Sequence, residues 1–100
     1  MARVKFQIRN VSHPRNIIGP QVRALRMARD WTQQTMAARL NLLGWDISRD
    51  TLAKIESQLR WVADFELLCL ASVLETDIES FWPAKKARAK AIREAMAQRT

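Results

Sequence analysis

Two short segments in the middle of the chain constrain its fold most, because each begins with a hydroxyl residue and then repeats apolar residues at helical spacing. The hydroxyls belong to Thr32 and Ser48, and each can accept a hydrogen bond from an otherwise unpaired amide at a helix start. The apolar residues that would share one face are Met36, Ala37 and Leu40 in the first segment, and Leu52 and Ile55 in the second. The sequence therefore predicts two short helices, each buried on one face and exposed on the other.

Two longer helices are predicted on either side of this pair. Gly19 and Pro20 open the earlier one, since the missing amide of proline costs nothing in the first turn, and it should end near Arg29. Asp64 is a candidate N-cap for the later one. The predicted inward faces are Val22, Leu25 and Ala28 in the earlier helix, and Leu67, Leu68, Ala71 and Leu74 in the later one.

A short fifth helix is predicted to close the domain. It should begin near Thr76 or Asp77 and end before Pro83, because helical backbone is disfavoured in the residue that precedes a proline. It would place Ile78, Phe81 and Trp82 against the rest of the domain. We therefore expect three parts: a basic N-terminal arm at 1–18, a five-helix domain at 19–83 and a basic, alanine-rich tail at 84–100.

The two flanks differ from the domain in pattern. Val4, Phe6 and Ile8 alternate with polar residues, which is typical of a short strand whose unpaired edge needs a partner. The tail has high helix propensity, but its apolar stripe, which includes Ile92 and Met96, is thin. A frayed or partner-dependent tail helix is therefore as well supported as a docked one.

The net charge of +7 is distributed unevenly along the chain. The net charges of successive segments are +4 for residues 1–18, +3 for 19–60, −5 for 61–83 and +5 for 84–100. An acidic block between basic ones indicates one surface that faces a polyanion and another that faces away from it. For the tail taken alone, an ordinary solvated surface remains an alternative.

Several classes of function are disfavoured by the residue inventory. His13 is the single histidine and Cys69 the single cysteine, so a closed metal site, an internal disulfide and a catalytic constellation all lack residues. Gly19 and Gly44 alone cannot form a glycine-rich phosphate loop. No apolar run approaches the length of a membrane span, and the first residues do not form a signal peptide. We therefore expect a cytoplasmic, non-enzymatic protein without a cofactor and without a membrane partner.

A resemblance to a known family rests on the order and spacing of three motifs. These are Arg26 in the first helix, the Thr-Gln pair at 32–33, and Ser-Arg…Thr-Leu…Lys-Ile-Glu at 48–56. Together they resemble the Cro and phage-repressor (XRE) family of helix-turn-helix regulators over roughly residues 19–82. One departure is the link at 41–47, which is longer and more apolar than the usual connection of about four residues. The resemblance implies an all-α, five-helix, repressor-like DNA-binding domain.

The second capped helix would then be the recognition helix. Side chains at the start of a helix in the major groove can distinguish base pairs, because each pair presents its own donors and acceptors there. Arg49 is the first candidate base reader, since its forked guanidinium matches O6 and N7 of guanine. Asp50 either accepts from cytosine or caps the helix amides. Thr51 and Lys54 lie on the same predicted face.

Contacts to the DNA backbone are expected near the two helix starts and just after the recognition helix. Gln33 matches the family position that contacts a phosphate, and its amide can donate without carrying a charge. The predicted phosphate contacts are Thr32, Gln33, Gln34, Ser48 and Arg60. For Trp61, beside Arg60, a structural role is at least as well supported as a DNA contact.

The resemblance also implies a structural ion pair between Arg26 and Glu56, in which a planar fork meets a carboxylate and holds the angle of the recognition helix.

A homodimer is expected because one recognition helix covers too few base pairs to specify a site. A two-fold pair would place two such helices about 34 Å apart in successive major grooves. The predicted dimer contacts are Ile78, Phe81 and Trp82, combined with either the strand of Val4, Phe6 and Ile8 or the tail. The strand is slightly favoured, because its alternation is cleaner.

The predicted function is a sequence-specific transcriptional regulator, a repressor, that binds double-stranded DNA. The alternatives are an antitoxin or adaptor whose ligand is a protein partner, and an RNA-binding protein. Either alternative should depend more on the arms than on Arg49.

Overall fold

The structure, a computed structural model, describes residues 14–97. Within them the chain forms five α-helices and one short 3-10 helix, with no strand. The helices are α1 (Gly19–Ala28), α2 (Gln33–Leu42), α3 (Arg49–Glu56), α4 (Asp64–Leu74) and α5 (Lys85–Ala97), with the 3-10 helix (Ile78–Phe81) before α5. The predicted all-α fold is confirmed, whereas the predicted strand of Val4, Phe6 and Ile8 lies outside the described residues.

The starts of α2 and α3 follow from local chemistry. Thr32 Oγ1 accepts from the Thr35 amide at 3.0 Å, and Ser48 Oγ accepts from the Thr51 amide at 3.1 Å. Both predicted caps are thus confirmed. At α4 the cap is Ala63 rather than Asp64. Here the prediction is wrong by one residue, because Glu66 accepts from the Ala63 amide at 3.0 Å and this bond begins the helix earlier.

The core lies where α1, α2, α3, α4 and the 3-10 helix converge. Its fully buried large side chains come from every one of these elements: Val22, Met36, Leu40, Leu52, Ile55, Leu70, Leu74 and Phe81. Two predicted inward positions, Ala28 and Leu68, are exposed. The first half of α4 is apolar on all sides, so periodicity alone does not determine which side packs inward. In the fold Leu70 faces the core while Phe65 and Leu68 remain exposed.

The start of α1 is attached to the end of α3 by Asn16. Its Oδ1 accepts from the Gly19 amide at 2.8 Å, and its Nδ2 donates to the carbonyl oxygens of Ile55 at 3.1 Å and Arg60 at 2.9 Å. Gln58 Nε2 returns a hydrogen bond to the Asn16 carbonyl at 3.0 Å. This exchange of hydrogen bonds sets the position of the last turn of the recognition helix.

The long connection between α2 and α3 is organised by Asn41. The extra residues lengthen α2 as far as Leu42, and Gly44 then turns the chain with a φ of +105° that favours glycine. Asn41 Nδ2 donates to the carbonyl oxygens of Trp45 at 2.8 Å and Ile47 at 3.1 Å. The apolar link is therefore a braced turn that brings Ile47 into the core.

The last two elements lie at the edge of the domain. Phe81 of the 3-10 helix is fully buried, while Ile78 and Trp82 are half-buried. This corrects the prediction of Phe81 as a dimer contact, because a side chain already inside the core has no surface left for a second copy. Helix α5 has no buried residue, and Arg88 joins it to the domain through the Pro83 carbonyl at 2.9 Å and the Glu79 carboxylate.

Candidate DNA-binding surface

Helix α3 has one buried face and one exposed face. Leu52, Ile55 and Glu56 are buried, whereas Arg49, Asp50 and Lys54 are exposed. The exposed residues lie at the start of the helix and one turn later, so they share a face. A side of α3 that carries two cations and an anion is thus presented to solvent on a helix fixed by its opposite side.

Thr51 differs from the other predicted base readers. It is half-buried, and its hydroxyl oxygen accepts from Ser48 Oγ at 3.0 Å. The two predicted roles of Ser48, capping and phosphate contact, therefore share one hydroxyl that is already engaged in the capped turn. Ala53, which the sequence did not single out, lies between Asp50, Lys54, Ser57 and Leu59 on an open groove along α3. Its small side chain would permit close approach of a ligand.

The side chain of Arg49 is held by two neighbours. Its Nη2 donates to Asp50 Oδ1 at 3.1 Å, and its Nη1 donates to Gln33 Oε1 at 3.2 Å. The Arg49–Asp50 pair is exposed, with side-chain exposures of 56% and 79%, so water screens it and it adds little stability. Asp50 also lies in the first turn of α3, where a negative charge is favoured by the helix dipole.

Behind α3 lies a buried ion pair. Arg26 Nε donates to Glu56 Oε2 at 2.7 Å and Nη2 donates to Oε1 at 3.1 Å, which is the two-pronged geometry of an arginine on a carboxylate. The side chains are 9% and 2% exposed. Arg26 also donates to the Trp31 carbonyl at 2.6 Å, and Gln33 Nε2 donates to Glu56 Oε1 at 3.0 Å. The pair therefore joins α1, the start of α2 and the end of α3.

Arg60 is paired with an acidic residue. Its Nη1 and Nη2 donate to the two carboxylate oxygens of Glu66 at 2.9 and 3.1 Å. These hydrogen bonds hold the pKa of Glu66 below its usual value and raise the pKa of Arg60. The phosphate contact predicted for Arg60 stays a prediction, and it would have to form beside this pair or in competition with it.

The remaining predicted phosphate residues lie at the start of α2. Thr32 and Gln34 are exposed there, and Gln33 is half-buried. Helix starts of this kind orient amides and side-chain donors toward an anion. Thr32, Gln33 and Arg49 thus lie on neighbouring elements, and Gln33 and Arg49 are in direct contact.

Two positioning residues were missed from the sequence, namely Asn16 and Asn41. Each lies at a helix boundary and uses its side-chain amide to bond two backbone carbonyls of other parts of the chain. The available signal was an asparagine at such a boundary, which commonly bonds nearby backbone. That signal cannot identify the particular carbonyls.

Residues 14–97 contain no group of three or more metal-ligating side chains. Nor is any helix in this part of the chain long and apolar enough to cross a membrane.

A short capped helix that packs behind a second one, whose outer face carries Arg49 and Lys54, defines a helix-turn-helix protein. The family model described as "Helix-turn-helix" matches residues 22–81, which include α2, α3, α4 and nearly all of α1. The chain belongs to this family, in its XRE or Cro/repressor branch, and is a DNA-binding regulator of transcription. Proteins of this family are typically non-enzymatic. No curated protein and no solved structure matches the chain.

Proposed function

We propose that this protein is a sequence-specific repressor that binds a palindromic DNA site as a homodimer, with α3 of each copy in the major groove. The observation that supports this best is the exposed start of α3, where Arg49, Asp50 and Lys54 stand on a helix whose other side is buried. A helix held in this way can present the same donors and acceptors to every duplex it meets. A dimer bound over its site would exclude other proteins from that stretch of DNA, which is the simplest route to repression.

Arg49 is the proposed principal base reader. Replacing Arg49 with alanine should weaken the preferred duplex by about 1 to 3 kcal/mol and relax preference at one or two base pairs in each half-site, because the bidentate match to guanine is removed. The measurement is selection of duplexes from a random DNA pool, followed by titration of the best duplex and of random DNA.

Arg23→Ala is the matched control, since it removes the same charge from an exposed position of α1. It should leave the selected sequence unchanged. Equal reductions of affinity for preferred and random DNA in Arg49→Ala would defeat the assignment of Arg49 as a base reader.

The N-terminal arm is proposed to contribute to the dimer and to DNA binding. Residues 1–11 contain three of the basic residues and the alternating apolar residues Val4, Phe6 and Ile8. Deleting them should lower the dimer population and the DNA affinity. It should also reduce the slope of log affinity against log salt by about 0.9 for each phosphate that the arm neutralises. Sedimentation measures the dimer population, and salt titration measures the slope.

An undiminished dimer after this deletion would assign the interface to other residues. Ile78, Trp82 and the exposed Ile92 and Met96 of the tail are the alternatives. A full-length protein that stays monomeric at high concentration without DNA would refute a preformed dimer altogether.

A second candidate function is an adaptor or antitoxin whose ligand is a protein. The observation that favours it is the exposed apolar surface of Leu59, Phe65 and Leu68, which are 49%, 66% and 58% exposed, since exposed apolar groups of this kind are common where proteins bind one another. The random-pool selection separates the two, because an adaptor should enrich no duplex.

A further inference from the structure

A chain of hydrogen bonds leads from the buried ion pair to the proposed base reader. It begins at Arg26 and Glu56, continues from Glu56 Oε1 to Gln33 Nε2 at 3.0 Å, and ends with Gln33 Oε1, which accepts from Arg49 Nη1 at 3.2 Å. Gln33 is the joint of this chain. It belongs to α2, whereas Glu56 and Arg49 lie at opposite ends of α3.

The chemistry of the neighbours determines which way the Gln33 amide faces. An ionised carboxylate can only accept and a guanidinium can only donate, so the NH2 group must face Glu56 and the oxygen must face Arg49. The reversed orientation would oppose acceptor to acceptor at one end and donor to donor at the other. The buried pair therefore dictates where Gln33 presents its oxygen.

Gln33 can hold Arg49 without consuming its capacity to bind a base. A guanidinium has five N–H donors, and the contacts to Gln33 and Asp50 use one hydrogen on each terminal nitrogen. Each terminal nitrogen keeps a second hydrogen, which suffices for the two acceptors of a guanine edge. Of the two partners, Gln33 is half-buried and bonded to Glu56, while Asp50 is largely in solvent. Gln33 is therefore the firmer support.

We propose that Gln33 is a positioning residue for base recognition, which orients the Arg49 fork by relaying the geometry of the Arg26–Glu56 pair. This inference rests on the proposed function, since it requires that Arg49 contacts a base. It differs from the phosphate contact predicted for Gln33, because a phosphate contact acts alike on every sequence. Positioning acts only where Arg49 discriminates.

The test is a double-mutant cycle with Gln33→Ala and Arg49→Ala, measured on the selected duplex and on the same duplex with the base pair read by Arg49 replaced. Gln33→Ala should reduce the ratio of the two affinities on the order of fivefold, within the coupling expected for contacting residues. In the Arg49→Ala background the same change should leave the ratio unaltered. Gln34→Ala, at the exposed neighbouring position, is the matched control and should preserve the ratio.

Gln33→Met is a second variant, which keeps the length of the side chain and removes both hydrogen bonds. It should reproduce the effect of Gln33→Ala if the alanine variant is poorly folded. An unchanged ratio in both variants, while Arg49→Ala still relaxes preference, would overturn the positioning role and leave the proposed function intact. If Arg49→Ala itself leaves the ratio unchanged, base reading by Arg49 fails and the relay fails with it.

Discussion

Replacing Glu56 with alanine should lower the free energy of unfolding by about 3 to 5 kcal/mol, because it leaves the buried Arg26 guanidinium without its carboxylate. The Glu56 side chain is 2% exposed and accepts from both Arg26 and Gln33. A stranded buried charge costs more than the intact pair contributes. Thermal or chemical denaturation of the variant measures this decrease.

The control is Glu79→Ala, which breaks a pair with Arg88 whose carboxylate side chain is 65% exposed. It should cost less than about 1 kcal/mol, since water screens an exposed pair. Replacing Arg26 and Glu56 together with apolar residues should restore much of the stability that Glu56→Ala removes. The recovery should be incomplete, because the Trp31 carbonyl and Gln33 lose partners. A Glu56→Ala protein that unfolds like the parent would show that the pair does not hold the domain together.

Adding one methyl group at Gly19 should destabilise the domain by about 1 to 3 kcal/mol. A Cβ at this position would contact the Ile55 carbonyl oxygen closely and would lie 2.7 Å from the Glu56 carbonyl oxygen. Both are backbone atoms of the last turn of α3, so relief requires α1 and α3 to move apart. Denaturation of Gly19→Ala should therefore show reduced stability, and titration should show weaker binding to the selected duplex.

Gly44→Ala supplies the contrast, because nothing lies within 4 Å of a Cβ added there. Its cost should come from the φ of +105° alone, and the orientation of α3 against α1 should be unaffected. Gly44→Ala should consequently bind DNA like the parent once folded. Gly19→Ala with parental stability and DNA affinity would contradict the close approach of α1 to α3.

The candidate surface was partly predictable because some of its features are local. Arg49 lies immediately after a cap that a serine hydroxyl forms with an amide three residues away, so its place at the start of α3 could be inferred from neighbouring residues. The contacts of Gln33 could not be inferred in this way. Its partners are 16 and 23 residues distant in the chain, and no spacing rule connects them. The pairing of Arg60 with Glu66 is closer in sequence, yet it depends on how the connector enters α4.

The all-α class, the two capped helices and the family could be read from the amino-acid sequence, because caps, proline positions and helical periodicity act over a few residues. The buried side of α4 could not, since a helix that is apolar on all sides has no preferred inward face until its neighbours are in place. The burial of Phe81 in the core and the close approach of Gly19 to the backbone of α3 likewise emerge in the folded domain. Such contacts join distant parts of the chain, and their energy depends on geometry that no local pattern encodes.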